Sequence, residues 1–372
     1  MNVEERLRDA LGAYAATVEP EIDAAPLAPA PAAPDRRAWR ATVAGLAVVA
    51  VMVAALAVAL TRGVDDSGPA AAPTPDRVVA ITADHHLVVL SLRQDRIVRT
   101  LAIDVVLPDN DFGPQLAVTP DGRRVFFVRE DPNVPCGNQP YTEIDEVSTS
   151  GGAAKTVVGP ARSPAVTPDG HYLAFADVPQ CSDGGDVIRV RDLRARRQSN
   201  GSYDRLWTLH PDPADFRVEL GGITRLSWAP DSRRLAFVWL DAPADTAVRV
   251  LHTTATTSSE GTPINGVLDP GQWLGYLGLT GKMITVSPPC MTFPLPGPAV
   301  VSFDPGTGRR AALLFSLDKI LGCPSTIVSD RSGRNLLAVM HAGTAYFLDS
   351  WHVGGARPVR SVQGVVAAAW LP

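Results

Sequence analysis

Four cysteines and seven histidines are the residues of this chain that most readily do chemistry, and their spacing excludes most of it. His85 and His86 are adjacent, while His171, His210, His252, His341 and His352 stand apart. Neighbours on a strand point to opposite faces, and a zinc site needs further ligands at short spacing. The His85-His86 pair therefore reads as part of a hairpin turn. Asp109-Asn110-Asp111-Phe112-Gly113 opens like a calcium loop but lacks the closing glutamate. Such a cluster is ordinary turn chemistry. No Gly-x-Ser-x-Gly elbow, His-Glu-x-x-His helix, Walker loop or Rossmann glycine fingerprint occurs. The sequence predicts no catalytic residue, no metal site and no cofactor. Among Trp228, Trp239, Trp273, Trp351 and Trp370, a sugar-stacking surface competes with a packing role, and packing is the better reading for Trp228 and Trp370.

The elements that must position these residues begin with a hydrophobic run. Residues 41–60 read ATVAGLAVVAVMVAALAVAL, with no charge and no polar face. A helix of this length spans the hydrocarbon core of a bilayer, about 30 Å. Arg36, Arg37 and Arg40 precede it, whereas Arg62, Asp65 and Asp66 follow, so the positive-inside bias places the N-terminus in the cytoplasm. A cleaved signal would have a shorter apolar stretch and little in front of it. Before the run, Val3, Leu7, Leu11, Tyr14 and Val18 recur at helical spacing until Pro20. The chain thus divides into a cytoplasmic amphipathic helix (1–19), a Pro/Ala-rich spacer with a basic flank (20–40), a transmembrane helix (41–61), a linker (62–76) and a large extracytoplasmic domain (77–372). The plain reading of the first helix is packing near the membrane, and the sharper one is docking of a cytoplasmic partner.

One pattern recurs through the large domain. Leu116–Val128, Pro164–Ala176 and Leu226–Val238 each hold an apolar strand, a Pro-Asp-Gly or Pro-Asp-Ser turn and a second apolar strand. Proline presets φ, aspartate bonds nearby backbone and glycine accepts positive φ. Looser copies run over Trp273–Val286 and Thr326–Val339. The turn positions Gly122, Gly170, Ser232, Gly281 and Gly333 lie 48, 62, 49 and 52 residues apart. A period of roughly 50 residues is that of a propeller blade. The domain opens with strands two, three and four of a blade (Arg77–Thr82, Leu87–Ser91, Arg99–Ile103) and closes with a lone first strand, Val365–Pro372. The last strand should complete the first blade. The expected fold is all-β, a six-bladed β-propeller, preceded by the two helices described above.

At its Pro-Asp-Gly hairpins the sequence resembles the TolB-type propeller repeat of bacterial envelope proteins. The resemblance covers residues 77–372 and implies a propeller that engages other proteins. It carries over no partner and no activity. The formal net charge of −5 argues against a nucleic-acid binder.

The expected function is a single-pass envelope protein whose propeller binds, scaffolds or senses a protein or envelope ligand. A hydrolase or lyase acting from one propeller face is the alternative. A third reading is a membrane regulator of a cytoplasmic transcription factor acting through residues 1–19. All of Cys136, Cys181, Cys290 and Cys323 fall outside the membrane, where an even count predicts disulfides. Their positions between strands place all four on the loop-rich face, opposite the Pro-Asp-Gly turns. Cys136–Cys181 and Cys290–Cys323 are the expected pairs, stiffening a surface for the ligand.

Overall fold

A computed structural model describes residues 76–372, apart from 108–114, 132, 135–140, 178–186, 195–203, 209–221, 241–246, 255–260, 265–272, 288–298, 317–323, 341–343 and 350–356. The expected cytoplasmic helix, spacer and span lie outside the described residues, as do the four cysteines. Among the described residues no helix is long and apolar enough to cross a membrane.

Every described element is a strand, and the strands form four-stranded antiparallel sheets. The first sheet contains β1 (Arg77–Thr82), β2 (Leu87–Ser91) and β3 (Arg96–Ala102). The second runs β4 (Leu116–Val118), β5 (Arg124–Glu130), β6 (Thr142–Ser148) and β7 (Lys155–Val158). The third runs β8 (Ala161–Val166), β9 (Tyr172–Asp177), β10 (Val187–Asp192) and β11 (Asp204–Thr208). Next come β12 (Gly222–Trp228), β13 (Arg234–Leu240), β14 (Ala247–His252) and β15 (Thr262–Pro263). They are followed by β16 (Trp273–Tyr276), β17 (Met283–Ser287), β18 (Ala299–Phe303) and β19 (Arg310–Ser316). The last sheet holds β20 (Pro324–Ser329), β21 (Asn335–Met340), β22 (Thr344–Asp349) and β23 (Arg357–Gln363). The final strand, β24 (Val365–Leu371), returns to the first sheet and pairs antiparallel with β1, Val78 opposite Trp370 and Ala80 opposite Ala368.

The inner strands touch in chain order, and β24 lies against both β20 and β4. This is a β-propeller. The expectation of six blades holds only in its coarser form, a propeller in which five sheets are full blades. Five sheets end in an outer strand of four residues or more, whereas β15 has two. Pro263 lacks an N–H for the ladder, which is one physical reason for so short an edge.

The core explains why the strands read as continuous apolar runs. Val125, Phe126, Phe127 and Val128 of β5 are all buried. Successive side chains point to opposite faces. Val125 and Phe127 therefore pack with Val79, Leu87 and Leu101 of the first sheet, while Phe126 and Val128 pack with Leu173 and Phe175 of the third. Comparable clusters join the later sheets, and one of them unites Leu337 and Val339 with Val78, Val88 and Val365. Each middle strand thus serves two interfaces, as parallel-sheet strands covered on both faces do.

Candidate functional site

The Pro-Asp-Gly hairpins position one end of the channel. In the second sheet, Gly122 N–H donates to Thr119 O at 2.8 Å and Thr119 N–H to Arg124 O at 3.0 Å. The Asp121 carboxylate accepts from Thr119 Oγ1 at 2.6 Å and from Arg123 N–H at 3.0 Å. Those two bonds hold the Asp121 carboxyl below the usual carboxylate value. Asp169 repeats the arrangement with Thr167 Oγ1 and His171 N–H. Burial works against its charge, but the bonds prevail and its pKa is lowered too. Asp231 binds Arg233 N–H, Arg234 N–H and Arg234 Nε, and again its pKa falls despite burial. Ser232, at φ +54°, occupies the glycine position, and its Oγ accepts from Asp169 N–H of the preceding hairpin at 3.3 Å.

Behind these turns, all the inner strands line one cavity of about 290 Å³. Each is hydrogen-bonded within its sheet on one side only. Its polar lining includes Thr167, Arg225, Ser227, Tyr276, Ser329 and Arg331. Arg225 sits at φ +54°, where the register of β12 and β13 shifts between Thr224 and Ser227. Burial pushes the Tyr276 phenol up to about 12. Asp330 also borders the cavity, but its carboxylate is engaged within its own turn by Ser332 Oγ, Arg334 N–H and Asn335 Nδ2. Hydroxyls, a phenol and guanidiniums are groups that hold an anionic or carbonyl-bearing ligand rather than abstract a proton.

Adjacent blades are laced together around this cavity. Trp228 Nε1 donates to Ala165 O of the preceding inner strand at 3.1 Å, and Trp370 Nε1 to Val328 O at 3.2 Å. The two tryptophans do have equivalent packing roles, with their N–H groups satisfied as buried indoles require. Tyr276 N–H donates to Ser227 Oγ at 3.1 Å and Gly278 N–H to Ser329 Oγ at 2.7 Å. These serines escaped the sequence reading, because nothing in their spacing marks an inter-blade bond.

The other sequence candidates fall elsewhere. His85 and His86 lie in the turn between β1 and β2, with His86 Nδ1 3.3 Å from Asp84 Oδ2. Among the described residues no group of three His, Cys, Asp or Glu side chains is placed to hold a metal. Asp109–Gly113 and all four cysteines lie outside the described residues. At the loop end, Arg129 binds Asp145 Oδ2 at 2.8 Å through Nε and Glu143 Oε2 at 2.9 Å through Nη2. Asp145 is buried, so this pair fixes the strands from which the second sheet's long loop departs.

No family model matches the chain, and no curated protein matches it. Solved structures do. A dihydro-haem d1 dehydrogenase, NirN, aligns at 15% identity and a TM-score of 0.37, over 79% of this chain and 57% of its own. Tricorn protease aligns at 12% identity and a TM-score of 0.45, over 78% of this chain and 30% of its own. A protein of Agrobacterium tumefaciens assigned to TolB aligns at 17% identity and a TM-score of 0.39, over 65% of this chain and 83% of its own. The chain spans little more than half of the first and under a third of the second. These are likenesses of fold and bring no activity with them.

Proposed function

We propose that this chain is a single-pass membrane protein whose extracytoplasmic β-propeller, of the TolB type with six blades, is a binding or sensory module for a protein or envelope ligand. The blade count counts the short-edged β12–β15 sheet as a blade, and the cavity shared by all the inner strands supports it. The observation that carries the binding reading is the strand order. By it, the strand ends that bound the connections from Glu130 to Thr142, Asp177 to Val187, Ser287 to Ala299 and Ser316 to Pro324 lie opposite the Pro-Asp-Gly turns. Long loops at one end of a rigid scaffold are where binding residues concentrate.

Those four connections each carry one cysteine. Cys136–Cys181 would tie the loops of adjacent blades, and Cys290–Cys323 would tie a loop to the next connection. Such bridges lower the ordering cost of a binding surface. Peptide mapping of the exported protein without reductant is expected to return these two pairs. Free thiols at all four positions would remove the disulfide proposal.

The function itself is tested by co-purification from membranes, with the full chain and with residues 1–35 removed. The expected result is an envelope partner captured by both and retained less well when Cys136 and Cys181 are changed to serine. Capture that vanishes with residues 1–35 would instead favour a cytoplasmic regulatory role.

A further inference from the structure

The described basic side chains are unevenly shared between the two ends of the propeller. At the hairpin end, the exposed cations include Arg93, Arg123, Arg233, Lys282, Arg309 and Arg331. Their placement repeats: the residues leaving the successive hairpins are Arg123-Arg124, His171-Tyr172, Arg233-Arg234, Gly281-Lys282 and Arg334-Asn335. Each pair contains a basic side chain. The aspartates of the same turns and the exposed Asp95 and Asp304 offset part of this charge, and Asp121, Asp169 and Asp231 stay ionised because the turn donates bonds to their oxygens. The Arg123 side chain is 83% exposed, with its Nε 4.0 Å from Asp121. The opposite end carries Asp84, Asp104, Glu130 and Asp131 among its described residues, while its Glu143 and Asp145 are paired with Arg129. Among the described residues, the larger share of exposed basic side chains therefore lies at the hairpin end of a chain whose net charge is −5.

A second, independent feature concerns connectivity. β1 is the second strand of its blade, so it starts at the hairpin end and runs away from it. Arg77, the first residue of β1, thus lies at the hairpin end. We propose that this face docks on an anionic lipid surface, with the arginines and Lys282 seated among phosphate headgroups. Basic residues near such a surface act additively and are screened by salt. The choice of a membrane as occupant rests on the reading of residues 41–61 as an anchor.

Residues 71–372 form a compact unit that holds every sheet and every core cluster, so they can be tested alone. The experiment is sedimentation with vesicles of phosphatidylcholine, with and without phosphatidylglycerol. Binding is expected only with phosphatidylglycerol, at low salt, and is expected to be lost at high salt. Combining Arg123→Glu, Arg233→Glu and Arg331→Glu should weaken it on the order of a hundredfold. Equal binding to neutral vesicles, a triple variant that binds like the parent, or tighter binding to soluble polyphosphate than to vesicles would each overturn the proposal. The lipid and salt dependence of the parent decides the matter even if the variant folds poorly. Alkaline carbonate extraction of the full chain is a separate readout. Release from membranes there would defeat the anchor and leave the vesicle result standing.

Discussion

Removing Val365–Pro372 is expected to unfold the propeller rather than loosen one edge. β24 pairs with β1 along its length and also lies against β4, β20, β21 and β22. It contributes Ala367, Ala369 and Leu371 to one core cluster and Val365 and Ala368 to the next. Burying Val365 and Leu371 alone stabilises by about 1.5–3 kcal/mol each. The alanines, the Trp370 bond to Val328 O and the uncovered edge of β1 bring the loss to several kcal/mol, on the order of the whole stability of a domain. Thermal melting of the truncated and intact propellers checks this. A truncated chain that melts alongside the intact one would show that closure through β24 does not hold the fold together.

The second large effect is expected at Gly278. It lies at φ +50°, and a Cβ there would collide with Gly333 N and sit 2.6 Å from Asp330 O and 2.7 Å from Arg331 O. All three are backbone atoms of the neighbouring hairpin and cannot swing aside. The approach is reciprocal, since a Cβ on Gly333 would meet Leu277 O at 2.9 Å. Gly278→Ala would also push apart the bonds Gly278 N–H to Ser329 Oγ and Leu279 N–H to Arg331 O. Conformational strain and overpacking together should cost about 3 kcal/mol or more. Gly281→Ala provides the comparison: φ is +74°, but nothing lies within 4 Å, so only the strain of about 1 kcal/mol applies. Denaturant unfolding of both variants separates the two terms. If Gly278→Ala costs no more than Gly281→Ala, the two hairpins are not in contact as described.

Gly278 also shows where the sequence could be read and where it could not. The three strong hairpin copies were legible because their Pro-Asp-Gly chemistry is local, and the pairing of the last strand with the first followed from counting strands. The fourth copy reads as degenerate in sequence, yet its departure has a cause. In the hydrogen-bond register, Leu277 N–H donates to Lys282 O as Thr119 N–H does to Arg124 O. Gly278 thus stands where Pro120 stands, one residue away from the register that aligns Gly281 with Gly122, and proline cannot adopt its positive φ. Ser232, in the glycine position of its hairpin, accepts a bond from the preceding hairpin that glycine could not. Both facts belong to contacts between blades, which no single repeat encodes. The same holds for the cavity, whose lining comes from every inner strand, one or a few residues at a time. The two-residue β15 was invisible too, because hydrophobic periodicity does not register the length of an outer edge.

The claim of an anchored protein facing outward is tested most directly by reporter fusions along the chain. Alkaline phosphatase fused after residue 30 should be inactive, and fused after residue 76 it should be active, with the mature protein keeping its original N-terminus. This is what an uncharged run at 41–60 with arginines on its leading side predicts. Strong activity from the fusion at residue 30, or a mature N-terminus mapped near residue 60, would contradict it.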